Sequence, residues 1–351
     1  MTIAAGVISE QTQFYKSTQP FRLESGESLA HLQIAYRSWG TLNEAGDNAV
    51  LICHALTGSA DADDWWPELI GDGAALDPAN DFIVCSNVIG SCYGSTGPFA
   101  TSDDGSTRLG LQFPMVTVRD MVRAQRELLD FLGVKRLSMV VGPSLGGMQT
   151  LEWATTFPDF VGGIVPIGVS ARHSAWCIGI GEAQRAAIST DGNWRDGAYD
   201  DSAKPKSGLA AARMMAMVTY RSWHNFEARF RREADQRTDF SASSYLNYQG
   251  KKLVERFDAA SYFRLTQAMD SHDVGREREG TVNALNAIRC PALVVSVSSD
   301  ILYPPVEQEF LAEHIPAAKL AYLNSDHGHD GILIDLAPLS DLIRQFRQQS
   351  G

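Results

Sequence analysis

The sequence predicts an α/β fold in which a mostly parallel sheet is covered by helices on both faces. Short apolar runs typical of buried strands recur before residue 172 and again after residue 286. Segments with helical periodicity separate several of these runs, an alternation typical of parallel sheets. Between the two regions, strand signals fade and helix-forming residues dominate. We therefore predict a core formed by residues 1–171 and 287–351, with residues 172–286 inserted as a helical lid.

The predicted strands follow one another along this core. They cover residues 32–36, 49–54, 82–86, 137–141, 163–168, 290–298 and 319–323. Between the third and fourth strands, residues 118–132 carry apolar side chains at three- and four-residue steps, which predicts a helix that ends at Gly133. In the inserted segment, residues 208–220 and 243–269 are predicted to be helical.

Composition excludes several classes of protein. With 44% hydrophobic and 21% charged residues, the 351-residue chain is rich enough in apolar side chains to bury a large core. Its formal net charge of −12 argues against nucleic acid or an anionic membrane as a partner. The absence of a membrane-length apolar run and of a signal-peptide pattern leads us to expect a cytoplasmic protein. The five cysteines lack metal-ligand spacing and are expected to be free thiols.

A serine lies between two glycines directly after the fourth predicted strand. Residues 142–146 read Gly-Pro-Ser-Leu-Gly, and a helix-like segment follows them. Gly-x-Ser-x-Gly in a strand–turn–helix context is typical of the nucleophile elbow of the α/β-hydrolase fold. The turn presents the serine hydroxyl above the sheet, and the glycines let neighbouring backbone approach closely. Ser144 is therefore the predicted nucleophile.

A serine nucleophile needs a base and an orienting acid, and this fold supplies them after later strands. Asp300 directly follows the strand predicted at residues 290–298 and is the predicted acid. Two histidines, His327 and His329, follow the last strand; we favour His329 because it directly precedes a helix-like run. In this interpretation His329 removes the Ser144 proton, while Asp300 fixes the tautomer of the imidazole.

An oxyanion hole is expected beside the nucleophile. One donor is predicted to be the backbone N–H of Leu145, the residue after the serine. The second is predicted to be the N–H of Leu56, in the loop after the strand at residues 49–54. His54, at the end of that strand, is expected to be a structural histidine, because nothing in the sequence places it in proton transfer.

Longer motifs extend over nearly the whole chain. They cover residues 48–58 (NAVLICHALTG), 92–98 (CYGSTGP), 119–125 (RDMVRAQ), 144–149 (SLGGMQ), 219–222 (TYRS) and 328–330 (GHD). Together they resemble the homoserine O-acetyltransferase family, acyl-CoA-dependent enzymes of methionine biosynthesis with an α/β-hydrolase fold. The resemblance implies Ser144, Asp300 and His329 as the catalytic triad, and it favours His329 over His327.

The resemblance also implies how the substrates bind. Arg213 is expected to bind the amino-acid carboxylate and Asp330 its ammonium group, and Tyr220 is a further pocket candidate. A planar guanidinium suits bidentate capture of a carboxylate. The alternatives are an arginine on the lid surface and an aspartate that caps a helix.

The implied reaction is a ping-pong transfer. Ser144 accepts an acetyl or succinyl group from acyl-CoA, and the hydroxyl of homoserine then takes it. No permanently bound cofactor and no metal are expected, and a homodimer assembled through the lid helices is implied. The arginines of residues 221–237 either attract the coenzyme phosphates or form a solvated basic face, and the second account is preferred.

Three positions depart from the family pattern. Pro143 and Ser91 stand where glycine is usual, and His327 stands where tyrosine is common. Pro143 and Ser91 are expected near the acyl and acceptor pockets, where a tighter site favours serine over homoserine. One methylene is worth only about 1–3 kcal/mol, so the acceptor stays open. The alternative of a different class is an esterase or thioesterase, against which Arg213 and Asp330 argue because a simple ester needs neither.

Overall fold

An eight-stranded sheet forms the centre of the molecule, whose residues 8–100, 108–234 and 240–350 are described by the computed structural model. In these ranges the strands are β1 (Gln13–Lys16), β2 (Phe21–Arg22), β3 (Ser28–Leu29), β4 (Gln33–Trp39), β5 (Ala49–Ile52), β6 (Phe82–Ser86), β7 (Leu137–Pro143), β8 (Ile164–Ile167), β9 (Ala292–Val297) and β10 (Ala318–Leu323). The sheet order is β1-β4-β6-β5-β7-β8-β9-β10, while β2 and β3 pair with each other. β4 is antiparallel to both neighbours, and all pairs from β6 to β10 are parallel. The predicted mostly parallel sheet is confirmed.

Helices connect the strands. Over the described residues they are α1 (Ala62–Trp65), α2 (Val118–Phe131), α3 (Leu145–Thr156), α4 (Ala175–Ser189), α5 (Lys206–Tyr220), α6 (Trp223–Phe230), α7 (Ser241–Val254), α8 (Ala259–Asp270), α9 (Thr281–Asn286), α10 (Pro305–His314), α11 (Gly331–Ile334) and α12 (Leu336–Ser350). The helices α4 to α9 lie between β8 and β9, in the segment where the sequence predicts a lid. None of these described helices has the length and apolar character that crossing a membrane requires.

Apolar side chains pack on both faces of the sheet. Because successive side chains of a strand point to opposite faces, Leu51 of β5 joins one apolar cluster while Val50 and Ile52 join the other. Trp153 of α3 is buried in the first cluster, and Ile343 of α12 is buried in the second. The helices therefore cover both faces, as predicted.

The structure departs from the predicted elements in several places, of which two are instructive. Helical structure predicted over residues 243–269 is divided between α7 and α8, because Asp258 caps the second helix by accepting from the N–H of Ser261. β1 was not predicted, because its side chains are mostly exposed and carry no apolar signal. Its pairing with β4 is what makes it a strand.

Candidate active site

The backbone at Ser144 has the geometry of a nucleophile elbow. Ser144 lies between β7 and α3 with a φ of 57°, in the left-handed region that non-glycine residues seldom adopt. Its N–H donates to the carbonyl of Ile167 at 2.9 Å, which ties the turn to β8. A Cβ at Gly146 would lie 1.9 Å from the carbonyl oxygen of Cys53, so only glycine fits there. The turn therefore holds a strained serine above the sheet.

Asp300 and His329 form a buried pair behind this serine. Asp300 Oδ1 accepts the N–H groups of Leu302 at 2.8 Å and Tyr303 at 2.9 Å. Its other oxygen, Oδ2, lies 2.6 Å from His329 Nδ1. Burial lowers the pKa of His329, but the charge and hydrogen bond of Asp300, with the charge of Asp330, outweigh it and raise the pKa above the usual 6.5. Nε2 is thus the ring nitrogen of His329 that Asp300 leaves available.

His327 has a different partner. Its Nδ1 lies 3.0 Å from Nδ2 of Asn225 on α6, so it is not paired with Asp300. Between the two histidines, Gly328 has a φ of 66°, and a Cβ there would lie 2.6 Å from the backbone N of Ser222. Only glycine allows the loop to pack this closely against the start of α6. The geometry therefore selects His329 from the two sequence candidates.

A cavity of about 210 Å³ collects most of the predicted site residues. Its wall includes Leu56, Ser144, Arg213, Tyr220, Arg256, His329 and Asp330. Asp300 lies behind His329 rather than on the wall. Ser144 Oγ and His329 Nε2 are not hydrogen-bonded to each other, and such bonds often close only when substrate is bound. The described residues contain no group of three or more His, Cys, Asp or Glu side chains able to hold a metal ion.

Two backbone N–H groups beside Ser144 are unpaired. Leu145 is the first residue of α3, where helical N–H groups have no partner within the helix. Leu56 lies in a turn closed by the bond from the Gly58 N–H to the Ala55 carbonyl, at 2.8 Å. Within the described part of the chain, neither the Leu56 nor the Leu145 N–H has an acceptor. These are the two donors that the sequence predicts for an oxyanion.

Arg213 of α5 has no carboxylate partner among the residues that the structure describes. Its Nε is buried, and no described residue accepts a hydrogen bond from it. Its Cζ lies 5.5 Å from the ring centre of Tyr220, whose ring centre in turn lies 5.6 Å from that of His329. A cation of this kind on a cavity wall is suited to bind an anionic group of a ligand.

Asp330 already has a cationic neighbour. Its Oδ2 lies 2.9 Å from Nε of Arg221, close enough for an ion pair although the two groups are not aligned as a hydrogen bond. Burial raises the pKa of Asp330 despite the opposing charges of Arg221, Arg213 and His329. Its Oδ1 has no hydrogen-bond partner among the residues described.

Arg229, Arg231 and Arg232 are exposed, in line with the preferred prediction of a solvated basic face, whereas Arg221 departs from it. The side chain of Arg221 is only 12% exposed and is directed at Asp330. Arg229 lies over the ring of Tyr245, and Arg232 lies over that of Phe240. Arg237 lies outside the described residues. The contact of Arg221 with Asp330 joins residues that are far apart in the chain, so the sequence does not reveal it.

Comparison with known proteins identifies the family. Residues 48–334 match the family model described as alpha/beta hydrolase fold. The chain is 57% identical over 348 residues to the homoserine O-acetyltransferase of Nostoc punctiforme, covering 98% of each chain. The chain belongs to the homoserine O-acetyltransferase family. The homoserine O-acetyltransferase of Bacillus anthracis has the same fold, with a TM-score of 0.90 at 23% identity over 97% of this chain and 98% of that one. Esterase E22 is also similar, with a TM-score of 0.89 at 25% identity over 96% of this chain and 99% of that one.

Two of the three departures from the family pattern, Pro143 and Ser91, are buried residues. Pro143 is the last residue of β7, and its Cδ packs 3.2 Å from the position that a Gly146 Cβ would occupy. Ser91 is fully buried in a turn closed by its N–H bond to the Val88 carbonyl. Pro143 directly precedes Ser144 and so lies near the reacting group, but neither Pro143 nor Ser91 contributes its side chain to the cavity wall.

Sequence reasoning missed Arg256, which lies between α7 and α8. Its Nη1 donates to the carbonyl of Thr57 and to the hydroxyl of Tyr93, both at 2.7 Å. It thereby ties the helical segment to the loop that carries Leu56. No motif marks Arg256 in the sequence, because its partners lie more than 160 residues away.

Proposed function

We propose that this protein transfers an acetyl group from acetyl-CoA to the hydroxyl of L-homoserine through an acetyl-Ser144 intermediate. The observation that carries the proposal is one cavity that joins the strained serine, the His329–Asp300 pair and the unpaired guanidinium of Arg213. A hydrolase of simple esters has no use for that guanidinium, whereas an amino-acid acceptor has a carboxylate for it to bind.

In the first half-reaction Ser144 Oγ attacks the thioester carbonyl carbon, and its proton passes to His329 Nε2. The carbonyl oxygen becomes an oxyanion that accepts from the N–H groups of Leu56 and Leu145. Collapse of this intermediate breaks the carbon–sulfur bond. The coenzyme A thiol leaves with the proton from His329, and Ser144 keeps the acetyl group.

In the second half-reaction the homoserine hydroxyl loses its proton to His329 and attacks the acetyl-serine carbonyl. Arg213 binds the amino-acid carboxylate, and Asp330 contacts the ammonium group from the other side of the cavity. Collapse breaks the bond to Ser144 Oγ, which recovers its proton from His329. Tyr220 lies between Arg213 and the imidazole, where it shapes the acceptor pocket.

Transfer rather than hydrolysis requires water to be kept from the acyl-serine. Arg213 and Tyr220 of α5, together with Arg256, cover one side of the cavity. All three belong to the helical segment, residues 172–286. We propose that this segment is the lid that shields the intermediate until the acceptor arrives.

The proposal is tested by thiol release from acetyl-CoA and from succinyl-CoA, each with L-homoserine, L-serine or no acceptor. We expect release with acetyl-CoA to depend on homoserine. Equal release with and without an amino acid would instead indicate a thioesterase. Hydrolysis of p-nitrophenyl acetate is measured in parallel, because esterase E22 has a closely similar fold.

Arg213→Gln is expected to raise the KM for homoserine by about 10- to 100-fold while leaving the KM for acetyl-CoA near its original value. The physical reason is the loss of a charge-assisted bond, worth about 1.5–3 kcal/mol. Steady-state kinetics with each substrate varied in turn measures this effect. Arg229→Gln, on a helix of the same segment but away from the cavity, is the matched control. An unchanged KM for homoserine in Arg213→Gln would remove Arg213 from the acceptor site.

We further propose that the lid helices assemble a homodimer. Apolar side chains are exposed along them, including Val218 at 49%, Trp223 at 74% and Tyr248 at 59%. Apolar surface of this kind commonly marks an interface. Val218→Asp is therefore expected to shift the protein towards monomer in sedimentation velocity. Val306→Asp, at a valine of α10 that is even more exposed than Val218, should leave the assembly unchanged. A wild-type protein that is monomeric at micromolar concentration would contradict the proposal.

A further inference from the structure

His54 is a buried histidine that the reaction above leaves without a role. Its ring is fully buried after β5 and does not line the cavity. Its Nε2 lies 3.2 Å from the backbone N of Val88, and its Nδ1 lies 2.8 Å from the carbonyl oxygen of Ala55. A backbone N–H can only donate, so Nε2 accepts and Nδ1 carries the proton. The two contacts thus specify one neutral tautomer.

The Ala55 carbonyl belongs to the same peptide group as the Leu56 N–H. This carbonyl accepts two hydrogen bonds, one from His54 Nδ1 and one from the Gly58 N–H, each at 2.8 Å. Because a peptide group is planar, holding its oxygen also sets the direction of its N–H. Hydrogen bonds to the oxygen also polarise the group and make its N–H a better donor.

We propose that His54 is a positioning residue for acyl transfer: its Nδ1–H holds the Ala55–Leu56 peptide so that the Leu56 N–H is directed at the developing oxyanion. The inference rests on the proposed Ser144 mechanism. Burial lowers the pKa of His54 to about 4, so the neutral donor form persists at neutral pH. A Cβ at Gly58 would lie 3.0 Å from His54 Cβ, which shows how tightly the turn packs on this side chain.

Two amide substitutions separate the functions of the two ring nitrogens. The amide nitrogen of His54→Asn occupies about the place of Nδ1, so it keeps the donor to Ala55 and loses the acceptor for Val88. The longer side chain of His54→Gln reaches the place of Nε2, so it keeps the acceptor and loses the donor. Both variants replace the buried imidazole ring by an amide, so both lose its packing contacts. Each variant therefore serves as the packing control for the other.

We expect His54→Gln to lower kcat for thiol release by about 10- to 100-fold, less than the loss of a whole oxyanion donor, with little change in KM. His54→Asn should stay close to wild type. The infrared carbonyl stretch of the acetyl-enzyme should move to higher frequency in the Gln variant alone. In that variant the acetyl carbonyl on Ser144 accepts a weaker hydrogen bond from the misdirected Leu56 N–H.

The inference would be overturned if kcat fell equally in both variants, if it fell in neither, or if its fall matched the fraction of unfolded protein. His54 would then have a structural role only. Thermal melting curves of both variants give the unfolded fraction. Ser144→Ala, measured alongside, distinguishes a failure of the proposed mechanism from a failure of the positioning role of His54. If it retains turnover, the proposed mechanism fails; if it is inactive while the His54 variants behave alike, only the positioning role fails.

Discussion

Ser144→Ala is expected to abolish thiol release from acetyl-CoA, with a fall in kcat of about 10⁴- to 10⁶-fold. Without Oγ no acetyl-enzyme can form, and His329 has no hydroxyl to deprotonate. Alanine also fits the buried turn, so the fold should survive. The measurements are a thiol assay and the intact mass after incubation with acetyl-CoA alone, which should show an acetyl adduct in the wild type only.

Ser138→Ala is the matched control for this substitution. Ser138 lies on β7, the strand that ends directly before Ser144, and its Oγ donates to the carbonyl of Ala49, away from the cavity. This variant should keep both the adduct and the turnover. Turnover retained in Ser144→Ala would exclude a covalent intermediate on Ser144 and, with it, the ping-pong order.

Asp300→Asn is expected to lower kcat by about 10⁴-fold, by imposing the wrong tautomer on the histidine. In the wild type, Asp300 Oδ1 accepts two backbone N–H groups and Oδ2 faces His329 Nδ1. An asparagine that keeps Oδ1 on those donors must turn its amide N–H towards Nδ1. That nitrogen must then be unprotonated, so Nε2 carries the proton and cannot accept one from Ser144.

The pH profile provides a second readout of Asp300→Asn. In the wild type His329 must be neutral to act as a base, so the rate should fall as the pH drops through its pKa, which Asp300 and Asp330 raise above 6.5. Removing the Asp300 charge lowers the pKa of His329. The acid limb of the pH–rate profile should therefore move to lower pH, while the maximal rate on its plateau falls. Asp326→Asn, at an exposed aspartate three residues before His329, is the control. If Asp300→Asn kept full activity and its acid limb stayed at the wild-type pH, the pairing of Asp300 with His329 in catalysis would be contradicted.

Several parts of this site follow from local sequence rules. Ser144 was predicted because Gly-x-Ser-x-Gly between a strand and a helix has few other interpretations, and the steric need for Gly146 shows why the motif is so restricted. Asp300 was predicted because it directly follows a strongly apolar strand. In both cases the information lies within a few residues, where backbone geometry and hydrophobic periodicity act.

Other features could not be predicted because they depend on side chains brought together from distant parts of the chain. His327 contacts Asn225, which lies 102 positions away in the chain, whereas His329 contacts Asp300. Two further contacts also join residues that are distant in the sequence. They are the contact of Arg221 with Asp330 and the hydrogen bonds of Arg256 to Thr57 and Tyr93. Pro143 adjoins Ser144, but the sequence does not show whether its ring lines the cavity, because this depends on the direction in which the ring packs at the strand end.

The sequence by itself determined the class of fold and predicted a nucleophile, its acid and a short list of bases, because these depend on periodicity and on the order of strand ends. Only the tertiary structure decided which histidine meets the acid, which guanidinium is left unpaired beside the serine, and what the His54 ring holds in place. Those outcomes depend on the direction of side chains and on the competition between partners. Both are settled only when the helices after β8 pack over the carboxyl ends of the strands.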